Sequence, residues 1–389
     1  LMPGPAQCLR QRKIVGFRPT LAVVEFIHQQ DLHTSRPSGM VSLVVYAFTA
    51  SSSGCAWRPR FPAAAHTNTE YSIHQIDALR NEKHPPGCAP PGTGQAAAGG
   101  PHGADCAVIG LFGDDPNDYM AKCGAKWLHK NGVNALCMSP GKHNYSHVNC
   151  PLEKIETAVK WLMTHGNRKV GIMGMSTAGM EALAAASLFP DITLTFGLTA
   201  SDFVWQGFEQ GKKDGCKEWP VPGTSTLSYR GKPLAYMPFV YEHPTYWKKI
   251  EAETKGSGDF LRSTCLFADS EKEREHTEEE MIKIENIKGK LILIGADDDS
   301  LWEAGKYVRR MDQRLQKYPH ECEYEAITYK HGTHFMLPES MLRMALPIGL
   351  KFVMRFIFRS AKDYPDECEA ARKDIDKRLS AALYEWIMV

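Results

Sequence analysis

The chain has 389 residues, a formal net charge of +1 and 43% hydrophobic residues. This length suits one large α/β domain with additional chain, and the near-neutral balance argues against a nucleic-acid partner or attraction to an anionic membrane surface. No apolar run reaches the roughly 18–20 residues of a membrane span, and the longest candidate, LKFVMRFIF (350–358), carries charges. The 11 cysteines are scattered, with no Cys-x-x-Cys or Cys/His cluster at zinc spacing. They predict no metal site and no disulfide framework, and they fit reduced thiols in a cytoplasm.

Residues 1–104 are rich in Pro, Gly, Ser, Ala and His and show weak periodicity. Within them, GMVSLVVYAFTA (39–50) reads as a strand and 84–104 as low-complexity chain. The first 25 residues lack the apolar core and small-residue cleavage site of a signal peptide. The segment begins with leucine and reads as an atypical start rather than a functional domain.

From residue 105 the pattern becomes regular. CAVIGLFG (106–113) predicts a buried strand, 118–132 a helix closed by Gly132, and 133–140 a second strand. The stretch 151–166 predicts an amphipathic helix with Ile155, Val159 and Leu162 on one face, ending on Gly166. A strand at 169–174, a helix at 177–189 and a strand at 191–201 follow. Beyond an insertion at 202–285 come a strand at 290–299, a helix from Leu301 to about Leu315 and a strand at 322–329. Terminal helices are expected near 340–358 and 365–387. This alternation predicts an α/β protein whose mostly parallel, doubly wound sheet has helices on both faces. The expected organisation is an N-terminal segment 1–104, then a domain 105–389 that carries 202–285 as a cap-like insertion.

Gly174-Met175-Ser176-Thr177-Ala178 lies where a predicted strand meets a predicted helix. A serine there is either a helix N-cap or the nucleophile of a Gly-x-Ser-x-Gly elbow, with alanine in place of the second glycine. A nucleophilic serine needs a general base, and the base an orienting acid. In this fold class the chain order is Ser, then Asp or Glu, then His. LILIGADDDSLW (291–302) runs from an apolar strand into three aspartates, at the strand end where such sheets bind ligands. They would also cap the next helix. Counting three residues from Gly295 selects Asp298, with Asp297 and Asp299 as runners-up. TYKHGTHFMLPES (328–340) offers His331 and His334; His334, between Gly-Thr and the apolar Phe-Met-Leu, is the expected base. The oxyanion hole is expected from the N–H of Thr177 and that of Gly113 or Asp114, in a loop that also reads as an ordinary turn. The aromatic-dense insertion predicts an acyl pocket or a satellite core, with Phe203 and Trp205 as the expected substrate contacts.

The elbow, FPDITLTFGLTASDFVWQGF (189–208), GKPLAYMPF (231–239), ENIKGKLILIGADDDSLW (285–302) and YKHGTHFMLPES (329–340) together resemble a known family. It is the acyl-CoA thioester hydrolase / bile acid-CoA:amino acid N-acyltransferase C-terminal domain family, an α/β-hydrolase domain akin to the dienelactone hydrolases. The resemblance covers roughly 105–389. It implies Ser176 as nucleophile, Asp298 as acid and His334 as base, an acyl thioester or ester such as acyl-CoA as substrate, and no metal or redox cofactor. Acyltransferases of the family use cysteine as nucleophile, so serine implies the hydrolase branch. Mammalian members carry an N-terminal β-sandwich, which residues 1–104 do not resemble. Two further readings stand beside this one: a general carboxylesterase or peptidase-like hydrolase on the same triad, and a scaffold without turnover.

Overall fold

A computed structural model describes residues 105–112, 119–138, 146–210 and 218–389. The strand expected at 39–50 and the whole N-terminal segment lie outside these residues. In chain order the elements are β1 (Cys106–Leu111), α1 (Tyr119–Lys130), β2 (Asn134–Cys137), β3 (Cys150–Pro151), α2 (Glu153–Thr164), β4 (Lys169–Met175), α3 (Thr177–Leu188) and β5 (Ile192–Leu198). The insertion contributes β6 (Gln206–Gln210), β7 (Glu218–Ser225), β8 (Leu227–Tyr229), β9 (Lys232–Pro233), α4 (Thr245–Thr254) and α5 (Thr264–Glu273). Then follow β10 (Lys290–Ala296), α6 (Ala304–Lys317), β11 (Glu323–Tyr329), α7 (Glu339–Ala345), α8 (Leu350–Ile357), α9 (Arg359–Asp363) and α10 (Pro365–Met388).

Six strands form one sheet in the order β11-β10-β5-β4-β1-β2, and every pairing in it is parallel. Successive side chains point to opposite faces of a strand, and both faces are covered. Along β1, Ala107, Ile109 and Leu111 join a core shared with α2, α3 and α6, whereas Cys106 and Val108 join one shared with α1, α7, α8 and α10. Double coverage explains why β1, β4 and β10 read as largely apolar runs rather than alternating ones, whereas the edge strand β11 alternates and stays partly exposed.

The expected terminal helix at 340–358 is two helices, α7 and α8. Pro347 cannot continue a helix, and Gly349 takes a left-handed φ of 92° before α8 begins. The insertion is no detached satellite. Trp205, Phe239, Tyr246 and Phe267 belong to the same contiguous core as Ile172 and Met180 of the sheet layer. Its base is also tied electrostatically: Arg310 on α6 donates to both oxygens of the buried Asp202, at 2.6 and 2.7 Å, and to Glu271 on α5 at 2.5 Å. No helix among the described residues is long and apolar enough to cross a membrane.

Candidate active site

The parallel sheet brings the C-terminal ends of β4, β5, β10 and β11 to one edge. Ser176 follows β4 directly. Its backbone sits at φ 61°, ψ −131°, a region that costs a non-glycine residue on the order of 1–3 kcal/mol. Two backbone bonds hold it there: Ser176 N–H donates to the Leu198 carbonyl of β5 at 2.9 Å, and Met180 N–H donates to the Ser176 carbonyl at 2.9 Å. The tightness of the turn has a steric cause. A Cβ on Gly174 would lie 2.2 Å from the Ala178 carbonyl oxygen, and one on Gly179 would lie 3.0 Å from the Leu198 carbonyl oxygen. Ala178 therefore fits at the fifth position of the motif because the close approach falls on Gly174 and Gly179. The Ser176 side chain makes no capping hydrogen bond to α3, so helix capping does not account for this serine.

His334, in the loop after β11, is 4% exposed, and its Nδ1 lies 3.0 and 2.8 Å from the two carboxylate oxygens of Asp299. A carboxylate only accepts, so Nδ1 carries the hydrogen that faces Asp299. Asp299 Oδ1 also accepts the Leu301 N–H at 2.9 Å. The Thr199 hydroxyl, just past β5, donates to the His334 carbonyl at 3.3 Å.

The aspartate expected at this place, Asp298, does not meet His334. Its Oδ1 accepts the N–H groups of Gly332 (2.9 Å) and Thr333 (3.2 Å), and its Oδ2 lies 3.1 Å from His331 Nδ1. Asp297 pairs with Arg309 on α6 at 2.7 Å. The glycine count fails because the ladder outlasts the glycine: Asp297 N–H still bonds the Tyr329 carbonyl at 2.9 Å. The chain turns only afterwards, and the carboxylate facing His334 is one residue later than counted.

A cavity of about 500 Å³, open space at its mouth included, adjoins the elbow. Ser176, Thr177, Trp205, Phe239, Phe267 and Trp302 are on its wall, with Thr226 and Ser263 among the polar members. Most of those polar groups are already engaged: Trp302 Nε1 donates to the Thr199 carbonyl (2.8 Å), Trp205 Nε1 to Ser201 Oγ (2.7 Å), Thr226 Oγ1 to the Trp205 carbonyl (2.9 Å) and Ser263 Oγ to the Leu301 carbonyl (2.8 Å). The rings pack edge to face: Trp205 and Phe267 centroids are 4.9 Å apart, Phe267 and Trp302 5.3 Å, and Trp302 stands 6.1 Å from the His334 ring.

The residues expected to line the site divide. Trp205 is on the cavity wall. Phe203 is not; it is fully buried, with the Arg310 guanidinium 4.4 Å over its ring and the His276 ring tilted against it at 4.6 Å. Arg310 is more than 100 positions away in sequence, so no local pattern would have revealed this packing. Thr177 opens α3, and N–H groups in a first helical turn have no intrahelical acceptor. Gly113 and Asp114 lie outside the described residues. Among the described residues, no group of three or more His, Cys, Asp or Glu could hold a metal ion. Early in α3, Glu181 is fully buried, and burial pushes its carboxyl up to about 8, with Lys154 opposing weakly. Its Oε2 has no hydrogen-bond partner.

A parallel, doubly covered sheet with a strained serine on the turn after a central strand, and an Asp–His pair after two later strands, defines an α/β hydrolase fold. Residues 150–341 match the family model described as BAAT / Acyl-CoA thioester hydrolase C terminal. Among solved structures, a Klebsiella pneumoniae protein provisionally described as a dienelactone hydrolase is 11% identical, over 74% of this chain and 89% of that one, with a TM-score of 0.38. An esterase from Pyrococcus furiosus is 15% identical over 73% and 84% (TM-score 0.36). A 2,6-dihydroxy-pseudo-oxynicotine hydrolase is 14% identical over 87% of each chain (TM-score 0.35). No curated protein matches the chain. Likenesses this distant say nothing of substrate or mechanism, which must come from this chain's own residues.

Proposed function

We propose that the protein is a serine hydrolase that cleaves a thioester or ester by acyl transfer, with Ser176 as nucleophile, His334 as base and Asp299 as the acid that orients it. The observation that carries this reading is Ser176 itself: a residue held at φ 61°, on the wall of an apolar cavity, with its hydroxyl not spent on capping the helix it precedes. Strain of this kind persists only where surrounding structure imposes it, and it concentrates at functional sites.

In the proposed reaction His334 Nε2 takes the hydroxyl proton as Ser176 Oγ attacks the carbonyl carbon. Asp299 keeps the proton on Nδ1 and stabilises the imidazolium that results. The Thr177 N–H is one donor to the tetrahedral oxyanion; a second is expected from the loop holding Gly113 and Asp114. Collapse expels the thiolate or alkoxide, which takes the proton from His334. Water, deprotonated by His334, then releases the acid and regenerates Ser176. The family description favours an acyl-CoA thioester, and serine in place of cysteine favours water over an amine as acceptor. Cys106, Cys265, Cys322 and Cys368 are free thiols, in keeping with a cytoplasmic location.

The test is a substrate panel of acyl-CoA thioesters and p-nitrophenyl esters with wild type and Ser176→Ala. Turnover of thioesters that vanishes in the variant is expected. Preference for simple esters would move the protein to the carboxylesterases, and turnover surviving in Ser176→Ala would overturn the mechanism.

A further inference from the structure

We infer that Asp298 is a positioning residue, which clamps the segment His331–Thr333 and so sets where His334 stands. The inference rests on the proposed Ser176–His334–Asp299 arrangement and adds a fourth side chain to it. Asp298 takes three hydrogen bonds from three consecutive residues immediately before His334: the Gly332 and Thr333 N–H groups at 2.9 and 3.2 Å, and His331 Nδ1 at 3.1 Å. Since the carboxylate only accepts, His331 Nδ1 carries the hydrogen.

The segment needs such a clamp. Thr333 is fully buried and sits at φ 73°. A left-handed backbone costs an L-residue roughly 1–2 kcal/mol, and a β-branched residue adopts it rarely. Gly332 is hemmed in as well: a Cβ there would lie 2.5 Å from Met336 Sδ and 2.9 Å from Ala296 Cβ. His331 completes the anchor by stacking on Tyr364, with centroids 3.7 Å apart and planes 14° from parallel. Downstream, His334 is fixed by other groups, Asp299 at the ring and Thr199 at the carbonyl. The two neighbouring aspartates therefore divide one task. Asp299 orients the imidazole, and Asp298 fixes the backbone that delivers it.

On this account acceptor geometry matters at position 298, not negative charge. An asparagine presents a carbonyl oxygen to Gly332 and Thr333, and its amide can donate to His331 Nδ1 once the imidazole takes the tautomer with its hydrogen on Nε2. Alanine offers neither. The experiment compares wild type, Asp298→Asn and Asp298→Ala for kcat and KM on p-nitrophenyl acetate, for melting temperature, and for amide exchange of the peptide 330–336. Misplacing a reacting group by about 1 Å costs on the order of a hundredfold, so Asp298→Ala is expected to lose roughly 10- to 100-fold in kcat with KM within about threefold. Its 330–336 amides are expected to exchange faster, and Asp298→Asn is expected to stay within about threefold of wild type in kcat. The inference is overturned if Asp298→Ala keeps its kcat, or if Asp298→Asn falls tenfold or more. Should the alanine variant not fold, the asparagine arm decides alone. Turnover that survives Ser176→Ala would defeat the proposed mechanism instead, and the exchange arm would still test the clamp.

Discussion

The Ser176 elbow and the Asp–His edge occupy the same end of one sheet, yet different forces build them. The elbow is steric: at Gly174 there is no room for a single Cβ, which would meet the Ala178 carbonyl oxygen at 2.2 Å. The Asp–His edge is a hydrogen-bonded turn, in which Asp298 and Asp299 between them accept from His331, Gly332, Thr333, His334 and Leu301. A sterically built turn tolerates no addition and fails as a unit. A hydrogen-bonded one can be edited one bond at a time, so its members should separate cleanly in their effects.

The sharpest separation is expected between the adjacent aspartates. Asp299→Asn presents the wrong partner to His334 Nδ1 and is expected to lower kcat by roughly a thousandfold or more, as when the acid of a catalytic triad is made an amide. Its melting temperature should change little. Asp298→Asn should cost at most about threefold. Steady-state kinetics of the two variants side by side would break the comparison if Asp298→Asn proved the more damaging.

At the elbow the expected effect is on stability and activity together. Gly174→Ala forces overpacking and should cost about 1–3 kcal/mol, read as a fall in urea midpoint, with loss of serine reactivity in parallel. Ala178→Gly is the control. It should leave reactivity near wild type and cost no more than about 1 kcal/mol for glycine in a helix. Equal damage from both would show that close approach at residue 174 is not what shapes the turn.

Just beyond the elbow, burial rather than contact governs Glu181, whose carboxyl is pushed up to about 8 from an ordinary 4.5. Below the lower value both folded and unfolded chains hold the proton, and there is no penalty. Between the two values the unfolded chain ionises while the folded one does not, so stability falls as pH rises, by at most about 1.4 kcal/mol per unit. Above about 8 this slope ends. Glu181→Gln cannot ionise, and its melting temperature between pH 5.5 and 8 should fall less steeply than that of wild type. Parallel profiles for the two proteins would contradict a buried, protonated Glu181.

The same contrast explains what the sequence could convey. A steric demand leaves a mark on residue type, so Gly174 before Ser176, at the end of an apolar run, marked the elbow directly. The order of Ser176, the aspartate run and His334 likewise followed from strand ends in sequence. Hydrogen-bond register leaves no such mark. Asp297, Asp298 and Asp299 are chemically identical, and which one faces His334 depends on the β10–β11 ladder running one residue past Ala296. The cavity wall is harder still to read, because it is assembled from Thr177, Trp205, Phe239, Phe267 and Trp302, spread over more than 100 positions. Phe203 and Trp205 looked equivalent locally. Arg310 and His276, both distant, take up the Phe203 ring and leave Trp205 at the cavity.

The central claim, that Ser176 is an activated nucleophile, is most directly tested by treating the folded protein with a fluorophosphonate and mapping the adduct by intact-mass and peptide mass spectrometry. The account predicts one adduct, on Ser176, absent from Ser176→Ala and formed far more slowly in Asp299→Asn. A folded wild-type protein that gains no adduct, or gains it on another residue, would contradict it.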